Sequence, residues 1–128
     1  MTAELRLSEL PKTWLLDVDG VIFHHNGYRD SLSFPETPLH GAVEFVRSLP
    51  PGDRIVLLTS RDSSLRELTE SSLRQGGIRF DHLVMGLPPG ERILVNDMKP
   101  SGLVTAVAVN LERNQGLGSL RLKIDPAL

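Results

Sequence analysis

Trp14-Leu15-Leu16-Asp17-Val18-Asp19-Gly20-Val21-Ile22-Phe23 decides how the rest of the chain is read. An apolar run carries two carboxylates, at alternate positions, and a glycine then breaks it. Short apolar runs bounded by glycine read as buried parallel strands, because strands covered on both faces have no polar side. Such a strand can hold acids only at its end, where water or a cation reaches them. A strand from about Thr13 to Val18 would put Asp17 at its carboxyl end, and Gly20 would let the chain turn away after Asp19. One carboxylate is then placed to attack a phosphorus and the other to handle the proton. The competing reading, half of a calcium loop, fails because Val21, Phe23 and His25 stand where further oxygen ligands are required.

At 128 residues the chain has the length of one domain, 1–128, with room for a single sizeable core. Its 40% hydrophobic and 23% charged content is that of an ordinary soluble protein. A net charge of -2 and a pI near 6.1 argue against nucleic acid or an anionic membrane as partner. The absence of cysteine excludes disulfides, thiolate zinc sites and cysteine nucleophiles. Met1-Thr2-Ala3-Glu4 lacks signal-peptide character and no apolar run approaches the ~20 residues of a membrane span, so a cytoplasmic location is expected.

Residues 1–12 read as a lead-in and residues 24–37 as a flap or loop rich in turn formers. Thr37-Pro38 is a good helix start, followed by Leu39, Ala42, Val43, Val46 and Leu49 at helical spacing and closed by Pro50-Pro51-Gly52. Ile55 to Leu58 is a second strand, running into Thr59-Ser60-Arg61. The next helix turns Leu65, Leu68 and Leu73 inward, with Ser64 and Glu67 paired near its start and Gly76-Gly77 at its end. His82–Met85, Ile93–Val95 and Val104–Val109 read as further strands. Ser119 to Ile124 reads as an edge strand or as a tail used to form a homodimer. Strands alternating with helices predict a three-layer, Rossmann-like α/β domain, its mainly parallel sheet covered by helices on both faces. Its core spans about 13–110.

Asp17 and Asp19, then Thr59, then Asp97 each end a strand, and in an open parallel sheet such ends gather where ligands bind. Taken singly, Thr59 equally suits a helix cap, as do Ser60 and Asp62, and Asn96-Asp97 suits a turn. Arg61 could reach a second anionic group, or lie on the surface of the first helical turn. His24 and His25 read as loop surface, and Arg113 as a residue that could return towards the pocket.

The order Asp-x-Asp-Gly-Val, hydrophobics-Thr, hydrophobics-Asp resembles the haloacid dehalogenase (HAD) superfamily over about residues 13 to 110. Most of its members are magnesium-dependent phosphatases working through an aspartyl-phosphate. The resemblance implies Asp17 as nucleophile and Mg2+ ligand. Asp19 is implied as general acid and then base, with its main-chain carbonyl also on the metal. Thr59, with Ser60 and Arg61 beside it, would hold the phosphoryl group, and Asp97 would complete the metal site. The gaps after Phe23 and Thr59 are too short for a cap domain, so the chain resembles the capless type. The stretches Ile93–Gly102 and Ala108–Arg113 resemble small HAD domains of bacterial capsule and sugar-nucleotide biosynthesis, implying a sugar-phosphate-type small molecule. The chain departs from the pattern in having no lysine between Thr59 and Asp97; Lys99, or Arg92 less well, would have to substitute. Without a substitute the domain would be a weak or inactive HAD-fold binding module. A receiver-type signalling module is disfavoured, because the middle strand ends in Thr59 rather than in a phosphoacceptor aspartate.

Overall fold

The computed structural model describes residues 3–26 and 33–128, so part of the expected 24–37 flap lies outside the described residues. The strands and helices are β1 (Ala3–Leu7), β2 (Thr13–Asp17), α1 (Ala42–Ser48), β3 (Arg54–Leu58), α2 (Arg66–Gln75), β4 (His82–Val84) and β5 (Leu120–Ile124). They form mixed α/β structure with two parallel sheets, ordered β2-β3-β4 and β1-β5.

The three-stranded sheet has one covered face. Leu16, Leu57 and Leu83 stand in register across it, and all three are buried in the core with Phe45, Val46 and Leu73 of the two helices. Both crossovers step the same way along the sheet, and right-handed connections that do so leave their helices on the same side. Leu15, Val56, Leu58 and Val84 alternate onto the opposite face; Leu15 is 47% exposed and Val84 37%. The expected covering of both faces is therefore corrected: β2 alternates in burial, and among the described residues the helices make one layer.

The segment from Glu91 to Asn110 forms no strand, which corrects the strands expected at Ile93–Val95 and Val104–Val109. Instead the chain folds back on itself, with Asn96 Nδ2 3.2 Å from Thr105 Oγ1 and the Lys99 N–H donating to Leu103 O at 3.0 Å. A lead-in was expected at the start of the chain, yet β1 forms there, paired with β5 from Ala3↔Leu120 to Leu7↔Ile124. This partner strand is the edge strand expected at Ser119–Ile124, and Leu120 and Leu122 pack against the main core.

α1 begins after Gly41 rather than at Thr37-Pro38, because Gly41 is left-handed at φ 80 and sits against the chain at Gly118. A Cβ on Gly41 would lie 2.5 Å from Gly118 N, so only glycine allows this crossing. α2 is entered through a 3-10 turn, Ser63–Leu65, whose cap is Asp62 accepting from the Ser64 N–H, not the Ser64–Glu67 pair. Its inner face is Thr69, Ser72 and Leu73, while Leu68 is 47% exposed.

Buried Asp53 ties the start of β2 to the turn before β3. Its carboxylate accepts from the Lys12 N–H at 3.1 Å and the Trp14 indole N–H at 2.9 Å, and Trp14 packs edge-on against Phe45. Asp53→Ala leaves two donors unpaired and should cost about 2 kcal/mol. In urea unfolding the midpoint should fall with the slope unchanged.

Candidate active site

The end of β2 is shaped by backbone hydrogen bonds. The Val18 N–H donates to Leu58 O at 2.9 Å, extending the pairing with β3 past the strand. The Ile22 and Phe23 N–H groups then both donate to Val18 O, at 3.0 and 2.9 Å, and the Gly20 N–H donates to Phe23 O at 2.7 Å. Gly20 takes φ 94, which favours glycine, and a Cβ there would stand 3.3 Å from Arg113 Cγ. Arg113 thus does return to this turn. Beside it, Asn114 donates its N–H to Gly20 O at 2.9 Å and accepts the His25 N–H on Oδ1 at 2.7 Å.

Asp19 is fully engaged. Thr59 donates its hydroxyl to Asp19 Oδ2 at 2.7 Å, and the Arg61 guanidinium lies against Asp19 Oδ1 at 2.9 and 3.0 Å. Thr59 is completely buried; its N–H reaches Val84 O, and its hydroxyl oxygen accepts the Arg61 N–H at 3.0 Å. Its hydroxyl therefore steadies a carboxylate and the turn behind it, while Asp62 does the helix capping. Ser60 is exposed.

Arg61 is 5% exposed and turns inward, away from the surface position that was one of its two readings. Its fork also clamps Glu36, at 2.7 and 2.8 Å, and donates to Thr69 Oγ1 at 3.1 Å, with the Phe23 ring 5.8 Å away. Burial alone would lower the guanidinium's pKa; the hydrogen bonds and charges of Glu36 and Asp19 outweigh it, and the net shift is upward. Glu36, Thr69 and Ser72, which accepts the Glu36 N–H at 3.0 Å, are the partners that sequence reasoning missed. The available signal was Thr69 and Ser72 at helical spacing beside Leu73, polar residues on an inward face.

Asp17 is different. Its side chain is 49% exposed, and its nearest cation is Arg92 Nη2 at 3.9 Å. Partial burial raises its carboxyl above the usual value of 3.8; Arg92 pulls it down, and the neighbouring Asp19 charge pushes it up. Arg92 is fixed by donating to Pro88 O at 2.8 Å. So the cation beside Asp17 is Arg92, while Lys99 and Asp97 are exposed positions on the folded-back 91–110 segment. Among the described residues no three His, Cys, Asp or Glu side chains gather as a metal cluster, so Asp97 does not join Asp17 and Asp19. The half-exposed Asp17 carboxylate and the Asp19 main-chain carbonyl are the oxygens that would suit magnesium, which binds through one or two carboxylates and keeps several waters.

A groove of about 300 Å³ runs past His24, Ser33, Pro35 and Glu36. The larger one, about 710 Å³, lies away from Asp17, between α2 and β4, and is lined by Arg66, Glu70, Arg74, Arg79 and His82. Set against models of known families, curated proteins and solved structures, the chain matches none of them.

Arg61→Ala should cost about 3–5 kcal/mol, because Glu36 and Asp19 lose the cation that compensates their burial. Arg61→Lys keeps the charge without the fork and should fall between the two in urea unfolding. For Asp17 the sign runs the other way. A raised folded pKa means that the native state holds the proton longer, so stability falls as pH rises through that window. Asp17→Asn should melt above the parent chain at neutral pH, and the difference should vanish below about pH 3, where both states are protonated.

Proposed function

We propose that the chain is a phosphomonoester hydrolase of the HAD type, with Asp17 as the nucleophile. The observation that carries the reading is the division of labour between the two carboxylates. Asp17 is open to an incoming phosphate at the end of a parallel strand, and Asp19 is held by Thr59 and Arg61. Strand ends are where open α/β sheets bind ligands, and this pair sits there.

In this reading Asp17 attacks phosphorus, the phosphorus–oxygen bond to the leaving group breaks, and Asp17 carries the phosphoryl group. Asp19 gives a proton to the departing oxygen and later takes one from the water that attacks the aspartyl-phosphate. Arg92 neutralises part of the charge that spreads over the phosphoryl oxygens. Mg2+ held by the Asp17 carboxylate and the Asp19 main-chain carbonyl would supply the remaining neutralisation. The open approach to Asp17 fits the capless type, and a sugar-phosphate-type metabolite is the substrate class we favour. A cytoplasmic setting would suit such a substrate.

A second reading, a HAD-fold binding module without turnover, is favoured by one observation. Asp97 and Lys99, both expected at the site, lie on the exposed 91–110 segment instead.

Hydrolysis of a generic aryl phosphate and of a panel of sugar phosphates, with and without magnesium, separates the two. Turnover that needs the metal, and that falls by about 10³-fold or more in Asp17→Asn, is expected. Absence of turnover on every ester, with magnesium still bound, would favour the binding module. Turnover that survives Asp17→Asn would remove the aspartyl-phosphate step.

A further inference from the structure

The larger groove lies away from Asp17, and the reaction proposed above makes no use of it. Its volume of about 710 Å³ is within the range of small-molecule sites. β4 ends the β2-β3-β4 order, and the groove runs between that strand and α2. Its apolar side rests on the core: Ile78 and Leu83 are buried, and Phe80 packs against the same cluster. Its polar side is chiefly guanidinium, with Arg66 and Arg74 from α2 and Arg79 from the segment that follows.

The charges here do not balance. Glu70 is divided between Arg66 and Arg74, in contacts of 3.3 and 3.4 Å. Such long pairs on an open helix surface contribute little and exchange readily for a better acceptor. Asp81 is already spent. It accepts the Ile55 N–H at 2.8 Å and pairs with Arg54 at 3.2 Å, and these contacts hold its carboxyl below the ordinary value, with Arg79 adding to the effect from further away. Arg79 itself donates to Leu49 O at 3.2 Å and Pro50 O at 3.1 Å, which fixes its guanidinium without cancelling its charge. Arg74 stands over the Phe80 ring at 5.7 Å, so a cation adjoins the apolar side. Counting Arg54, four guanidiniums meet two carboxylates, in a chain whose net charge is -2.

We infer that this groove is a second binding site and that its ligand is an organic phosphate, its dianionic head on Arg74 and Arg79 and its uncharged part against Phe80 and Val84. A phosphate monoester carries the two negative charges that the surplus calls for, and its oxygens match the guanidinium fork. The site stands whether or not Asp17 forms an aspartyl-phosphate, because it shares no residue with the end of β2.

The test is a titration of the full chain with phenyl phosphate, followed on the backbone amide resonances, in the Asp17→Asn chain so that the ester is not consumed. The amides of residues 78–84 should shift saturably. Inorganic phosphate should move them only at higher concentration, and phenol should not move them. Arg79→Ala and, separately, Arg74→Gln should each raise the dissociation constant about tenfold or more, with the circular dichroism spectrum unchanged. Arg74 has an exposed side chain in the last turn of α2, so its substitution does not threaten folding. Shifts confined to the neighbourhood of Asp17 and Thr59 overturn the proposal, since the probe then occupies only the other site. So does an unaltered affinity in both variants. Phenol acting as strongly as phenyl phosphate would remove the role of charge, and inorganic phosphate acting as strongly would remove the role of the apolar side; either result overturns an organic phosphate as the ligand.

Discussion

The Arg61 guanidinium is the contact on which the site depends. It is buried, and a buried cation is tolerated only where carboxylates and hydrogen-bond acceptors replace its water. Asp19 comes from the turn after β2, Glu36 from the segment before α1, Thr69 from α2, and Arg61 itself from the end of β3. Four stretches far apart in sequence are thus held to one another by one planar group. An arginine suits this better than a lysine, since its fork makes two parallel bonds to Glu36 and still has donors for Asp19 and Thr69.

That clamp also explains why the two aspartates of one motif differ. Asp19 lies on the side where β3 ends, so Thr59 and Arg61 reach it and fix both of its oxygens. Asp17 has no such clamp among the described residues; its nearest cation is Arg92, at 3.9 Å, with His25 and the Val18 N–H contributing less. Partial burial then raises the Asp17 carboxyl, with Arg92 opposing. Two carboxylates separated by a single residue thereby acquire separate characters, one held and one exposed. Sequence spacing alone would have left them equivalent.

The strand expected from about Thr13 to Val18 and found at Thr13–Asp17, its turn at Gly20, and the strand expected at Ile55–Leu58 and found at Arg54–Leu58 were legible, because apolar runs ending in glycine or threonine carry a local signal. So was the pairing of the Asp19 and Thr59 neighbourhoods, since adjacent parallel strands bring their carboxyl ends together. The inward turn of Arg61 was not legible. It depends on Glu36, 25 residues upstream in a segment that reads only as loop. The start of α1 was misread for a similar reason: Thr37-Pro38 is a sound local signal, but Gly41 is claimed by a long-range crossing at Gly118. β1 escaped notice because its residues alternate apolar and charged over only five positions, and its partner β5 lies at the other end of the chain.

The 91–110 segment reverses the usual relation between pattern and structure. Its valines and isoleucine have high strand propensity, yet propensity for a strand is a statement about fitting a pleated, half-buried surface, and needs a neighbour to act upon. The Lys99–Leu103 turn and the contacts of Thr105 with Asn96 and Asp97 give the segment hydrogen bonds within itself but, among the described residues, no sheet. Exposing aliphatic surface costs about 25 cal/mol per Å² relative to burial, so side chains as open as Ile93 and Val95 weigh against the segment's stability. The same reasoning applies to Leu15 on the sheet, where a half-exposed leucine sits on a strand whose composition suits burial on both sides. The two stretches share aliphatic side chains and differ in whether a strand lies beside them: Leu15 has β3 as its neighbour, and the 91–110 segment, among the described residues, has no strand.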